Sequence, residues 1–156
     1  MPELPEVQIT VNGLNKTVKG KKITGVWTSY NSSFHRGNDN IKNPVFFKKF
    51  KKMVIGRKIL KAERRAKNVL IHLSDGYTVI VHMKMTGHFV YNRPDYPFAR
   101  LYFTLNNSKR LVFSDMRKFA KITFVKTSDL EKSLHLEHLG PEPLSKNFQF
   151  SITEKT

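Results

Sequence analysis

The chain opens Met1-Pro2-Glu3-Leu4-Pro5-Glu6, which sets a secondary amine close to two carboxylates. A small residue after the initiator is the setting in which Met1 is removed, and removal would leave Pro2 with a free α-amino nitrogen. Such a group has a pKa of roughly 7.7–8.0, against about 10.4 for lysine. It is therefore partly unprotonated near neutral pH and can attack an electrophilic sugar carbon to give an iminium, a Schiff base. That chemistry needs a proton donor for the sugar ring oxygen or the leaving base. Glu3 can serve if burial raises its pKa, and Glu6 could orient the site or carry a second proton transfer. A retained Met1 would block the amine. The same residues also suit the first turn of a helix, where proline and glutamate are favoured, so the hexapeptide alone supports both readings.

The elements that must hold these groups follow from periodicity. Val7, Val11, Leu14 and Val18 form one apolar stripe at helical spacing, with Pro5 in the first turn and Gly20 as the stop. A strand is predicted over Lys22–Tyr30, then a polar loop over Asn31–Lys42. Asn43-Pro44 is a helix start, with Asn43 as cap and Pro44 at the first helical position. Phe46, Phe47, Phe50 and Met53 give that helix an apolar face, and Gly56 ends it. Beyond it the period is mostly two. Strands are predicted over Lys58–Arg65, Val69–Leu73, Tyr77–Met83, His88–Tyr91, Arg100–Leu105, Arg110–Phe113 and Lys121–Val125. Asp75-Gly76 and Asn106-Asn107-Ser108 mark tight turns. The expected fold is mainly β: an antiparallel β-sandwich of about eight strands with an N-terminal helix and one short additional helix. Leu130, Leu134 and Leu136 read as helical or irregular, and the segment Asn92 to Phe98 has no assignable role.

Charge narrows the class of partner. Lysine and arginine number 28 against 12 acidic residues, a formal net charge of +16. Such an excess repels itself unless a polyanion is near, and nucleic acid is the usual one, because each neutralised phosphate releases a counterion. A ribosome-associated basic protein would explain the charge as well. The chain has no cysteine, which excludes disulfides, a thiol nucleophile and any Cys-based zinc site within it. No run approaches the roughly 20 apolar residues of a membrane span, and Glu3 and Glu6 stand where a signal peptide would be basic. A monomer in the cell interior (cytoplasm and nucleoid, or nucleus) is expected, with no membrane association, no cofactor and no metal.

Five segments in order resemble one family. Pro2-Glu3-Leu4-Pro5-Glu6-Val7 is similar to the N-terminal signature of the formamidopyrimidine-DNA glycosylase (endonuclease VIII-like) family. Arg64-Arg65-Ala66-Lys67-Asn68 resembles its lysine-bearing hairpin, and His82-Met83-Lys84-Met85-Thr86-Gly87 its His-x-Gly-Met-Ser-Gly segment. Asp115-Met116-Arg117-Lys118-Phe119 resembles Asp-Pro-Arg-Arg-Phe, and Leu139 to Leu144 the Leu-Gly-Pro-Glu-Pro-Leu linker. The resemblance implies a bifunctional glycosylase and abasic-site lyase in DNA repair, acting on oxidised bases in duplex DNA. Pro2 would be the nucleophile and Glu3 the general acid/base. Lys67 and His82 would touch phosphates beside the lesion. Met85, Arg117 and Phe119 would fill the stack left by an extruded base and hold its orphaned partner. Without the motifs, Lys67 is one more solvated lysine, His82 a half-buried strand histidine, and Met85 and Phe119 ordinary core candidates. A non-catalytic nucleic-acid-binding module of the same fold is the second reading.

The family segments usually have Gly, Pro and Gly where this chain has Lys84, Met116 and Ala120. Lys84 and Ala120 are expected to alter loop shape where the backbone would need positive φ, and Lys84 adds a charge near the DNA. The resemblance divides the chain into a catalytic β-sandwich over residues 1–133 and, over 134–156, a linker and the start of a helix–two-turn–helix domain. That second domain, with its β-hairpin finger, would supply the rest of the DNA grip.

Overall fold

The computed structural model describes residues 4–30, 40–83, 87–118 and 120–137. The elements run α1 (Leu4–Thr17), β1 (Ile23–Thr28), α2 (Pro44–Val54), β2 (Ile59–Arg65), β3 (Asn68–Leu73), β4 (Tyr77–His82), β5 (His88–Tyr91), β6 (Ala99–Leu105), β7 (Arg110–Ser114), β8 (Lys121–Lys126) and α3 (Leu130–Glu137). The eight described strands make two antiparallel four-stranded sheets, ordered β1-β6-β7-β5 and β2-β3-β4-β8. This is the expected sandwich.

The core between the sheets takes the stripe of α1: Val7, Val11, Leu14 and Val18 are all buried in it. Gly20 follows with φ 87°, a left-handed turn that a side chain would strain. Asn43 caps α2 as predicted, its Oδ1 accepting from the Val45 N–H at 3.1 Å. Phe50 of α2 is fully buried against Phe103 and Phe124, a burial worth about 1.5–3 kcal/mol. Asp75 and Gly76, with φ 65° and 82°, close the β3–β4 hairpin in the doubly left-handed form that Asp-Gly favours.

One difference from the sequence reading has local causes, and the segment read as helical or irregular is a helix. The first strand is shorter than Lys22–Tyr30. Lys22 makes only an isolated bridge to Lys58, the register shifts between Ile23 and Gly25, and the Tyr30 N–H turns back onto Thr28 Oγ1 at 3.1 Å. At the other end, α3 is a helix that crosses residue 133, and its Leu130 and Leu134 pack on Leu70 and Ile80. β3 is buried along its whole length because the core covers one face and α3 covers Leu70 on the other.

Helix α1 runs antiparallel to β2. The Asn15 amide brackets Ala62, accepting from its N–H at 2.7 Å and donating to its C=O at 2.9 Å. It thereby satisfies the open edge of β2. Farther along, Arg64 Nε donates to Gln8 Oε1 at 3.2 Å. The N-terminal end of α1 is thus directed toward the β2–β3 turn.

Candidate nucleic-acid interface

The β2–β3 turn is two residues long, Ala66 and Lys67. Ala66 has φ 54°, an unusual conformation for a residue with a side chain, and Arg64 donates to its carbonyl at 3.1 Å. The turn presents Lys67 to solvent. Next to it, Asn68 pairs with His82 across β3 and β4. Asn68 is fully buried, and its Oδ1 lies 2.7 Å from His82 Nδ1. His82 is half-buried at the end of β4.

After His82 the chain turns back into β5. The Gly87 N–H donates to the Met83 carbonyl at 3.2 Å, so Met83 and Gly87, the described residues on either side of 84–86, are bonded to each other. A Cβ on Gly87 would stand 2.6 Å from both the Met83 oxygen and Cζ of Phe113. Close approach, not a left-handed φ, is what requires glycine there.

The turn after β7 carries Arg117, which is exposed. Asp115 organises it from below. This fully buried residue accepts the Ala120 N–H at Oδ2, 2.8 Å away. Its own N–H donates to the Phe98 carbonyl at 3.0 Å. Arg100 donates to the Asp115 carbonyl at 2.8 Å and the Met116 carbonyl at 3.3 Å, and Lys42 Nζ donates to the Lys118 carbonyl. Tyr30 is buried nearby. Its phenol is held above the ordinary range by desolvation first and by Asp115 second, with Arg100 opposing.

The positive φ expected at position 120 is not there. Ala120 is buried, and the left-handed residue of this turn is Lys118, φ 59°. An alanine fits at 120 because the turn reverses two residues earlier and the Ala120 N–H reaches Asp115.

Lys67, His82 and Arg117 therefore project from one end of the sandwich, the end toward which α1 begins. Glu6, in the first turns of that helix, is exposed. Pro2, Glu3, Met85 and Phe119 lie outside the described residues, as does the Leu139–Leu144 segment. The sequence reading missed Asn68, Gly87, Arg100 and Asp115. Asn68, Gly87 and Asp115 sit inside the quoted motifs, and that was the available signal. Arg100 had none. Segment 92–98 also finds a place: the Ser114 hydroxyl donates to the Pro97 carbonyl at 2.8 Å, and His88 Nε2 is 3.1 Å from the Tyr96 hydroxyl. Among the described residues no three His, Asp or Glu side chains gather as a metal site would need. No described helix is long and apolar enough to cross a membrane.

A family model described as the formamidopyrimidine-DNA glycosylase N-terminal domain matches residues 1–122. The chain belongs to this family. The formamidopyrimidine-DNA glycosylase of Pelotomaculum thermopropionicum is 39% identical over 158 residues, covering 99% of this chain and 54% of that protein. The Bacillus subtilis formamidopyrimidine-DNA glycosylase is 33% identical over 151 residues, covering 95% and 52%. The chain spans about half the length of the curated relatives it matches. Lactococcus lactis Fpg (MutM) in complex with FAPY-dG-containing DNA superposes with a TM-score of 0.75 at 26% identity, over 90% of this chain and 51% of that one. The same enzyme with abasic-site DNA gives 0.75 at 25% identity, over 92% and 51%. The Fpg-type sandwich is thus this chain's own, and the two motif-bearing turns lie together at one end of it.

Proposed function

We propose that this chain is the catalytic domain of a base-excision DNA glycosylase with abasic-site lyase activity on oxidised bases in duplex DNA. The observation that carries the reading is the convergence of Lys67, His82 and Arg117 at the end of the sandwich toward which α1 begins. In this reading the Pro2 nitrogen attacks C1′ of the damaged nucleotide. The base leaves with a proton from Glu3, the C1′–O4′ bond opens as O4′ takes up a proton to give the C1′ iminium, and loss of a C2′ proton then expels the 3′ phosphate. Glu6 supports the acid–base steps. Lys67 and His82 hold flanking phosphates, and Met85, Arg117 and Phe119 fill the space left by the extruded base. Residues 134–156 lead toward a helix–two-turn–helix domain that completes the grip on DNA.

Borohydride trapping on abasic-site duplex, with an intact mass to follow Met1, tests the nucleophile. Reduction of the iminium should give a covalent adduct for chains lacking Met1, and Pro2→Gly should abolish it. Undiminished trapping by Pro2→Gly would remove the assignment. The net charge of +16 fits equally a second reading, a lesion-blind binding module. That reading requires equal affinity for plain and abasic duplex at every salt concentration.

A further inference from the structure

The outer face of the β1-β6-β7-β5 sheet carries an aromatic ladder that the proposed function does not use. Trp27 on the edge strand β1 is 40% exposed. Its ring stacks on Tyr102 of β6, with centroids 5.0 Å apart and planes 18° from parallel. On the other side of Tyr102 lies the guanidinium of Arg110 from β7, 4.3 Å from the ring centre. Three adjacent strands thus contribute three flat groups in sequence, on the face opposite Leu101, Phe103 and Leu111, which enter the core.

The charge around the ladder is of one sign. None of the four strands contains an aspartate or glutamate. Exposed Lys22 and Lys109 flank it. Lys22 is tied to the β6–β7 turn by its backbone bonds with Asn106, and the Lys109 ammonium lies over the Tyr91 ring. An exposed indole backed by a second ring offers a π-face to any nucleobase, and neighbouring cations suit the phosphates between bases. That combination is how single strands are held without sequence preference. The cationic end of the ladder is also set apart from the Arg117 turn. Arg110 begins β7 and Lys109 precedes it, whereas the Arg117 turn follows its end, about 13 Å away at roughly 3.3 Å per residue.

We propose that the Trp27–Tyr102–Arg110 face is a second nucleic-acid surface, on which an unpaired base of a single strand stacks against Trp27 while Arg110, Lys22 and Lys109 hold its phosphates. A cross-strand ladder serving only the sheet would have no need of an exposed outer ring or an acid-free border.

Trp27 is the only tryptophan in the chain, so its fluorescence reports this face alone. Titration with a short oligothymidylate at low salt should quench it saturably, with an affinity that falls as salt rises. Tyr102→Ala and Arg110→Ala should each weaken that binding by about tenfold, and Lys132→Ala, at an exposed position of α3, should leave it unchanged. Arg110 is partly exposed, so its variant keeps the fold if the rest of the ladder does not need it, and matched melting curves check this. Absent quenching, or equal affinities for the parent and a folded Arg110→Ala, would overturn the proposal. Either result leaves the Pro2 assignment standing, since borohydride trapping reads the other end of the sandwich.

Discussion

Asn68 Oδ1 lies 2.7 Å from His82 Nδ1, one residue beyond Lys67 and across the β3–β4 register. The bond fixes which way the imidazole faces and joins the lysine turn to the strand that leads into the Met83–Gly87 turn. Because Asn68 is fully buried, its side chain cannot turn to solvent when the ring is lost. His82→Ala and Asn68→Ala should each weaken binding to abasic duplex, and the double variant should lose less than the sum. Residues in one hydrogen-bond network couple by about 0.5–3 kcal/mol. Strict additivity in a binding cycle would show that Asn68 does not act through His82.

Lys67 makes a separate prediction because it is exposed at a turn apex. A lysine neutralising one phosphate contributes a slope of about −0.9 to the dependence of log K on log salt. Lys67→Ala should reduce the slope for abasic duplex by about that amount while leaving the melting temperature alone. An unchanged slope would mean that Lys67 touches no phosphate.

Much of the fold was legible because its signals are local. The four-residue stripe of α1, the Asn43-Pro44 cap and the Asp75-Gly76 turn each specify an element within a few positions of themselves. The supports of the Arg117 turn are of another kind. Arg100, Lys42 and the Phe98 carbonyl reach Asp115 and its neighbours from distant parts of the chain, and nothing in their spacing announces it. The Asn15 bracket on Ala62 spans 47 positions. The expectation for Ala120 failed for the same reason. The reversal falls on Lys118, and only the buried carboxylate of Asp115 explains why the chain straightens by 120.

Gly87 should tolerate no side chain. The space for a Cβ is taken by the Met83 oxygen and the Phe113 ring, neither of which can swing away like the end of a flexible chain. Overpacking of this kind costs about 1–3 kcal/mol. In a chain of this size each kcal/mol lowers the melting temperature by about 2–4 °C. Gly87→Ala should therefore melt lower and bind abasic duplex more weakly, since the Gly87–Met83 contact beside His82 must open. A melting temperature equal to the parent's would show that the turn yields without strain.

Glu63 gives the pH dependence. It bonds His72 Nε2 at 2.6 Å, and His72 Nδ1 lies 3.0 Å from Thr78 Oγ1, which in turn meets Thr127 Oγ1 at 2.8 Å. Beside it, Arg65 forms a two-oxygen ion pair with Glu131 of α3. Burial alone would raise the Glu63 carboxyl. The hydrogen bond and charge of His72, then Arg65 and Lys61, outweigh it and hold the group below its ordinary value. A carboxylate depressed in the folded state stabilises the fold above its unfolded pKa of about 4.3. That stability is lost as pH falls from there through the depressed folded value. Glu63→Gln removes this term and no other carboxylate's. Below about pH 4.3 the melting temperature of the parent should therefore fall more steeply than the variant's. Parallel curves through the acid range would mean that the His72–Glu63 contact adds nothing to stability, and that α3 is held by Leu130, Leu134 and the Arg65–Glu131 pair alone.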